Sequence, residues 1–143
     1  MDRTSKVVKT FTRKLFPFIL LYGCYLISHG HLTPGGGFQG GVIFGSAIIL
    51  LGLVEGIRMT EKRFREDMLS LTKNIGMLIF MLFGFTGMIL GYAFLSDFLP
   101  KGETGTVPSA GLILLLNLTI GFMVGTGIAV IFYRSVRHGS EEE

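Results

Sequence analysis

Four runs of mostly apolar residues, each close to twenty residues long, constrain this 143-residue chain more than any other feature. They extend from about Leu15 to Leu32, Phe38 to Ile57, Ile75 to Leu95 and Ala110 to Tyr133. A helix rises about 1.5 Å per residue, so runs of this length match the roughly 30 Å hydrocarbon thickness of a bilayer. In lipid only helices and closed barrels satisfy their own backbone polar groups, and no run here alternates apolar and polar residues as barrel strands do. The sequence therefore predicts an all-α membrane protein: a single integral membrane domain over residues 1–143, with four transmembrane helices. Only 16% of residues are charged, against about a quarter in soluble domains.

The basic residues orient those spans. Arg3, Lys6, Lys9, Arg13 and Lys14 precede the first, while Arg58, Lys62, Arg63, Arg65 and Lys73 separate the second from the third. Arg134 and Arg137 follow the fourth, and the two remaining connections share only Lys101. By the positive-inside rule both termini and the 58–74 connection are expected to be cytoplasmic. The stretches "HGHLTPGGGFQGG" and "SDFLPKGETGTVPS" then face outward. No aromatic residues interleave with these basic blocks on a polar surface, so the basic pI of about 9.2 does not indicate a nucleic-acid partner. A cleaved leader ending at "LYGC" is disfavoured by the bulk of Tyr22 and by the three spans that follow. Pro17 sits where the first turn of a helix tolerates proline, or inside a longer helix that begins near Ser5. "TEKRFREDMLSLTKN" either lengthens the third helix, lies at the interface as a short amphipathic helix, or is a solvated loop.

Ionisable chemistry is sparse inside the spans. Glu55 is the only acidic residue within one, and it lies near the cytoplasmic rim, three residues before Arg58. It is a candidate for an ion path; the plainer reading is a solvated helix end or a pair with a nearby arginine. Asn117 and Thr119 are the other polar candidates, and a buried amide more commonly bonds across helices than coordinates an ion. His29 and His31 flank Gly30; with no carboxylate or cysteine in the turn they make no metal site, although histidine suits a proton relay at the outer mouth. Cys24 is the sole cysteine and reads as a packing residue. No catalytic triad, phosphate loop or dinucleotide fingerprint is present, so neither enzyme activity nor a cofactor or metal is expected.

Glycine carries the stronger signal. Gly41 and Gly45, Gly52 and Gly56, Gly87 and Gly91, and Gly121 and Gly125 are each four apart, the spacing that lets helix backbones approach closely in lipid. Their recurrence suggests packing against further subunits. "TPGGGF" cannot continue a helix, and the twelve residues from His29 to Gly40 carry no Lys, Arg, Asp or Glu. Such a turn beside lipid is expected to be pressed against neighbouring protein. It also gathers the free carbonyls of one helix end and the free amides of the next, an arrangement found at transporter ion sites, although docking is the favoured role.

These residues carry a resemblance. "HGHLTPGGGFQGGVI" is similar to the signature of the B subunit of Mrp/Mnh-type multisubunit cation/proton antiporters, a family that includes the corresponding small subunit of membrane-bound hydrogenase-type complexes. The matching residues are Pro34, Gly35, Gly36, Gly37 and Phe38, then Gly40 and Gly41, and the length and span layout agree over most of the chain. The resemblance implies a non-catalytic subunit of a membrane hetero-oligomer that helps form the sodium-translocating part and is inactive alone. Its partners would be the other membrane subunits and the bilayer, with sodium and protons handled by the whole complex. On that reading the 29–41 turn docks a neighbour, and Glu55, Asn117, His29 and His31 are candidates for the ion path. Two alternatives stand beside it: a self-sufficient homodimeric four-helix exporter, which would need a carboxylate in the first span, and a pure assembly subunit of a respiratory or hydrogenase complex.

Overall fold

The computed structural model describes residues 6–30, 32, 36–96 and 111–139, and every regular element in them is helical. The helices are α1 (Lys6–His29), α2 (Gly37–Glu55), α3 (Ile57–Arg63), α4 (Glu66–Ile89) and α5 (Leu112–Gly139). Among them α2, α4 and α5 are each long and apolar enough to cross a membrane. Helix α1 is not, because Arg13 and Lys14 on one side and Ser28 and His29 on the other confine its apolar part to residues 15–27.

The expected span limits shift for identifiable reasons. Helix α1 starts at Lys6 rather than Leu15, with Pro17 inside it, so the longer-helix reading of Pro17 holds. The second span breaks at Gly56, whose φ of 92° turns the chain into the short helix α3. Gly56 still donates its N–H to the carbonyl of Gly52, so α2 completes its last turn before the direction changes. The third helix begins nine residues earlier than expected, at Glu66, where Glu66 and Asp67 complement the positive end of the helix dipole. It stops at Ile89 instead of Leu95: Gly91 takes φ 84° and the chain reverses, seating the Phe94 ring in the notch left by Gly84. Phe94 also meets Phe85 edge to face, with ring centroids 5.9 Å apart. Of the 58–74 connection, "TEKR" lies on α3 and most of the rest is the first turns of α4.

Helix α2 is the centre of the bundle. It packs on α1 along one side and on α5 along the other, and α4 packs on the far side of α5. Helices α1 and α2 are antiparallel over their full length: Gly30 lies against Gly36, Gly23 against Gly40 and Phe44, and Arg13 against Glu55. Helices α2 and α5 run parallel in constant register, with Gly37 against Asn117, Gly41 against Gly121, Gly45 against Gly125 and Gly52 against Phe132. The result is a bundle with two chemically different ends. One holds Gly30, Gly36, Gly37 and Asn117; the other holds α3, the start of α1 and the end of α5.

Candidate functional site

At the first end, glycine replaces side chains wherever two backbones meet. A Cβ at Gly37 would collide with the carbonyl of Asn117, and at Gly41 and Gly45 it would lie 2.5 Å and 2.8 Å from the carbonyl oxygens of Gly121 and Gly125. These distances are below any real carbon–oxygen contact, so the close parallel approach of α2 and α5 exists only because the side chains are absent. On the other side of α2, a Cβ at Gly40 would be 2.8 Å from the carbonyl of Gly23.

One side chain fills the junction of the three helices. Ile27 of α1, 1% exposed, sits 2.6 Å from where a Cβ would stand on Gly40 of α2, and equally close to that position on Gly121 of α5. Two missing side chains on two helices thus make the socket for one branched side chain on a third. Tight dispersion contact of this kind holds helices together where lipid offers no hydrophobic drive.

This geometry revises the reading of the glycines. Two of the four spaced pairs, Gly41/Gly45 and Gly121/Gly125, mate with each other inside the chain rather than waiting for another subunit. Gly56 and Gly91 lie outside the helices at positive φ, so the other two pairs are not helix-surface strips. The expected cover over the turn is, at Gly37, Gly40 and Gly41, supplied by the chain's own α1 and α5. Phe38, 62% exposed, and Gln39 remain uncovered beside it. Pro34, Gly35 and His31 lie outside the described residues, as do Arg3 and Lys101.

The candidate ion-path residues separate. Asn117 stands at the start of α2, its Oδ1 3.8 Å from the position a Cβ would take on Gly36. His29 is at the same end, stacked on Tyr25 with centroids 4.4 Å apart and an interplanar angle of 26°. Thr119 donates its hydroxyl to the carbonyl of Leu115 in its own helix, 2.8 Å away. Glu55 is at the other end of α2, eighteen residues on, which at 1.5 Å per residue is about 27 Å away. Glu55 and Asn117 therefore cannot touch one ion together. The Glu55 side chain is 3% exposed, accepts a hydrogen bond from Arg13 Nε, and lies 3.8 Å from Arg63 Nη1. The pairing reading of Glu55 is thus realised, joining α1, α2 and α3.

More ion pairs surround it. Arg134 Nε donates to Glu66 Oε1 at 3.0 Å, while Arg137 Nη2 lies 3.0 Å from Glu61 and 3.1 Å from Glu66. The end of α5 is thereby fastened to α3 and α4. Sequence reasoning did not identify this network, although four of its arginines belong to the orientation blocks. It also missed Ile27 and Gly23, which form no spaced glycine motif. Among the described residues no group of three or more His, Cys, Asp or Glu side chains is placed to hold a metal.

Residues 7–130 match the domain related to the MnhB subunit of Na+/H+ antiporter. The Na(+)/H(+) antiporter B subunit of Alkalihalophilus pseudofirmus is 32% identical over 127 residues, covering 87% of this chain and 86% of that protein. The protein MJ1307 of Methanocaldococcus jannaschii is 29% identical over 131 residues, covering 87% of this chain but only 50% of that relative. A chain in the structure of the membrane-bound sulfane sulfur reductase, an archaeal respiratory membrane complex, superposes with a TM-score of 0.77 at 31% identity. That alignment covers 94% of this chain and 60% of the other. The parallel glycine seam between α2 and α5 thus sits within a matched region that includes nearly every described residue, and the chain belongs to the family of domains related to the MnhB subunit of Na+/H+ antiporters.

Proposed function

We propose that this chain is a four-span subunit of a multisubunit sodium/proton antiporter module, that it helps form the sodium-translocating part, and that it is inactive alone. The observation that carries the reading is the family match together with the absence of an unpaired acidic residue in the described membrane-spanning helices. A chain with no free carboxylate inside the bilayer lacks the usual proton or sodium carrier, so the exchange reaction needs partner subunits.

Helix α1 is the fourth span on this reading. It runs beside α2 from Gly36 to Glu55, so wherever α2 crosses, α1 crosses with it. Its basic start snorkels to the headgroups. The first residues of α1 and the last of α5 share the end that holds α3; the basic blocks support a cytoplasmic placement of that end, in what we read as a plasma-membrane protein. Glu55 is a fastener, while Asn117, His29 and the exposed Phe38 face the neighbouring subunits and the shared ion route. The respiratory complex that contains the structural neighbour favours a second form of the same role, as an antiporter-type subunit attached to a redox enzyme. The homodimeric exporter is disfavoured, since residues 15–29 carry no carboxylate.

The test is reconstitution. The purified chain in vesicles should show no sodium-dependent proton movement, and the complex purified through this chain should show it. Exchange by the chain alone would overturn the proposal.

A further inference from the structure

Among the described residues, the ion-pair network leaves two of the three cations of α3 over. Helix α3 and the start of α4 enclose an open hollow of about 610 Å³ lined by Arg58, Glu61, Lys62, Arg65, Glu66 and Asp67. Its three carboxylates are already matched: Glu61 by Arg137, Glu66 by Arg134 and Arg137, and Asp67 by Arg65 at 3.4 Å. Arg58 and Lys62 have no carboxylate partner among the described residues. Four apart on α3, they lie on neighbouring positions of one helix face. Because Arg134 and Arg137 enter from α5, the hollow and its rim are net positive.

The location gives this charge a meaning. Helix α3 lies directly after the last turn of α2 and before the first of α4, at the level where both apolar helices end. Apolar side chains stand exposed close by in sequence, Met59 on α3 at 53% and Met68 on α4 at 59%, followed along α4 by Leu71 and Ile75. An unmatched pair of cations, followed in sequence by exposed apolar side chains, complements a molecule that is anionic at one end and apolar at the other. We propose that Arg58 and Lys62 bind the phosphate headgroup of an anionic phospholipid whose acyl chains lie along the exposed apolar side chains at the start of α4. The inference rests on the membrane placement argued above but not on ion movement.

The chain has no tryptophan, so Met59→Trp supplies a single emitter in the full-length chain. Its fluorescence is measured in phosphatidylcholine vesicles containing either brominated phosphatidylglycerol or brominated phosphatidylcholine at equal mole fraction. Brominated phosphatidylglycerol is expected to quench with an apparent association up to about thirtyfold above the zwitterionic lipid, the limit set by two cations near an anionic surface. The preference should weaken in high salt. It should fall to parity when Arg58→Gln and Lys62→Gln are combined, fall partway with Lys62→Gln alone, and survive the exchange of Arg58→Lys with Lys62→Arg. Equal quenching by the two lipids, or a preference that survives the double neutral variant, overturns the site and leaves these cations to an acidic protein partner. No quenching by either lipid would instead place α3 away from the bilayer and overturn the membrane placement itself.

Discussion

The two ends of the bundle hold the same central helix by different physics. Where α2 begins, Gly37, Gly40 and Gly41 meet the backbones of α1 and α5 with no charged residue in contact, and the fit is set by atoms that are absent. Where α2 stops, Glu55 meets Arg13 and Arg63, and the neighbouring ion pairs join α3 and α4 to α5. A backbone seam tolerates no added atom, because a carbonyl in a helix cannot move aside without breaking the helix. A network of long, half-exposed side chains can rearrange, and water competes for its charges. The glycine end should therefore be brittle and the charged end forgiving.

The sharpest way to break this comparison is Gly41→Val. Its side chain would enter the space of the Gly121 carbonyl and of Val124, and the expected loss is about 4 kcal/mol or failure to fold, at the upper end for single substitutions. Thermal unfolding in mild detergent reads it; a change below about 1 kcal/mol would mean that α2 and α5 are not in this contact. Next comes Ile27→Ala, which empties the socket between Gly40 and Gly121. A loss of about 2–3 kcal/mol is expected for a buried aliphatic side chain. Glu55→Gln leaves two guanidinium groups without their carboxylate. Arg13 is 58% exposed, so the cost should be about 1–2 kcal/mol rather than the 3–5 of a fully buried pair. A double-mutant cycle with Arg13→Gln isolates the coupling. The smallest effect belongs to Asp67→Asn, whose pair with Arg65 is 85% and 70% exposed; it should shift stability by less than about 0.5 kcal/mol.

How far the sequence foretold this molecule varies by element. The apolar runs that became α2, α4 and α5 were plain, because lipid leaves a twenty-residue apolar segment almost no other fold. The start of α2 at Gly37 was legible from the proline and glycines before it, and the pairing of Glu55 from its nearness to Arg58, although the partners proved to be Arg13 and Arg63. Gly56 and Gly91 misled for one reason: four-residue spacing does not distinguish a glycine that packs from one that turns the chain at positive φ. The extent of α1 was legible only as an alternative, a longer helix beginning near Ser5, because basic residues dilute its apolar signal without opposing helix formation. Gly23 and Ile27 could not be recognised at all. Their roles depend on which helix lies beside α1, and that follows only from the assembled bundle.

The measurement that bears most directly on the two-ended account is sodium-dependent proton movement by the reconstituted complex, carrying either Gly37→Ala or Glu55→Gln, with subunit content checked in each. The account predicts that Gly37→Ala, which places a methyl group into the Asn117 carbonyl, abolishes transport or removes this subunit from the complex, while Glu55→Gln keeps most of the activity. Normal transport with Gly37→Ala, or an intact complex silenced by Glu55→Gln, would contradict it.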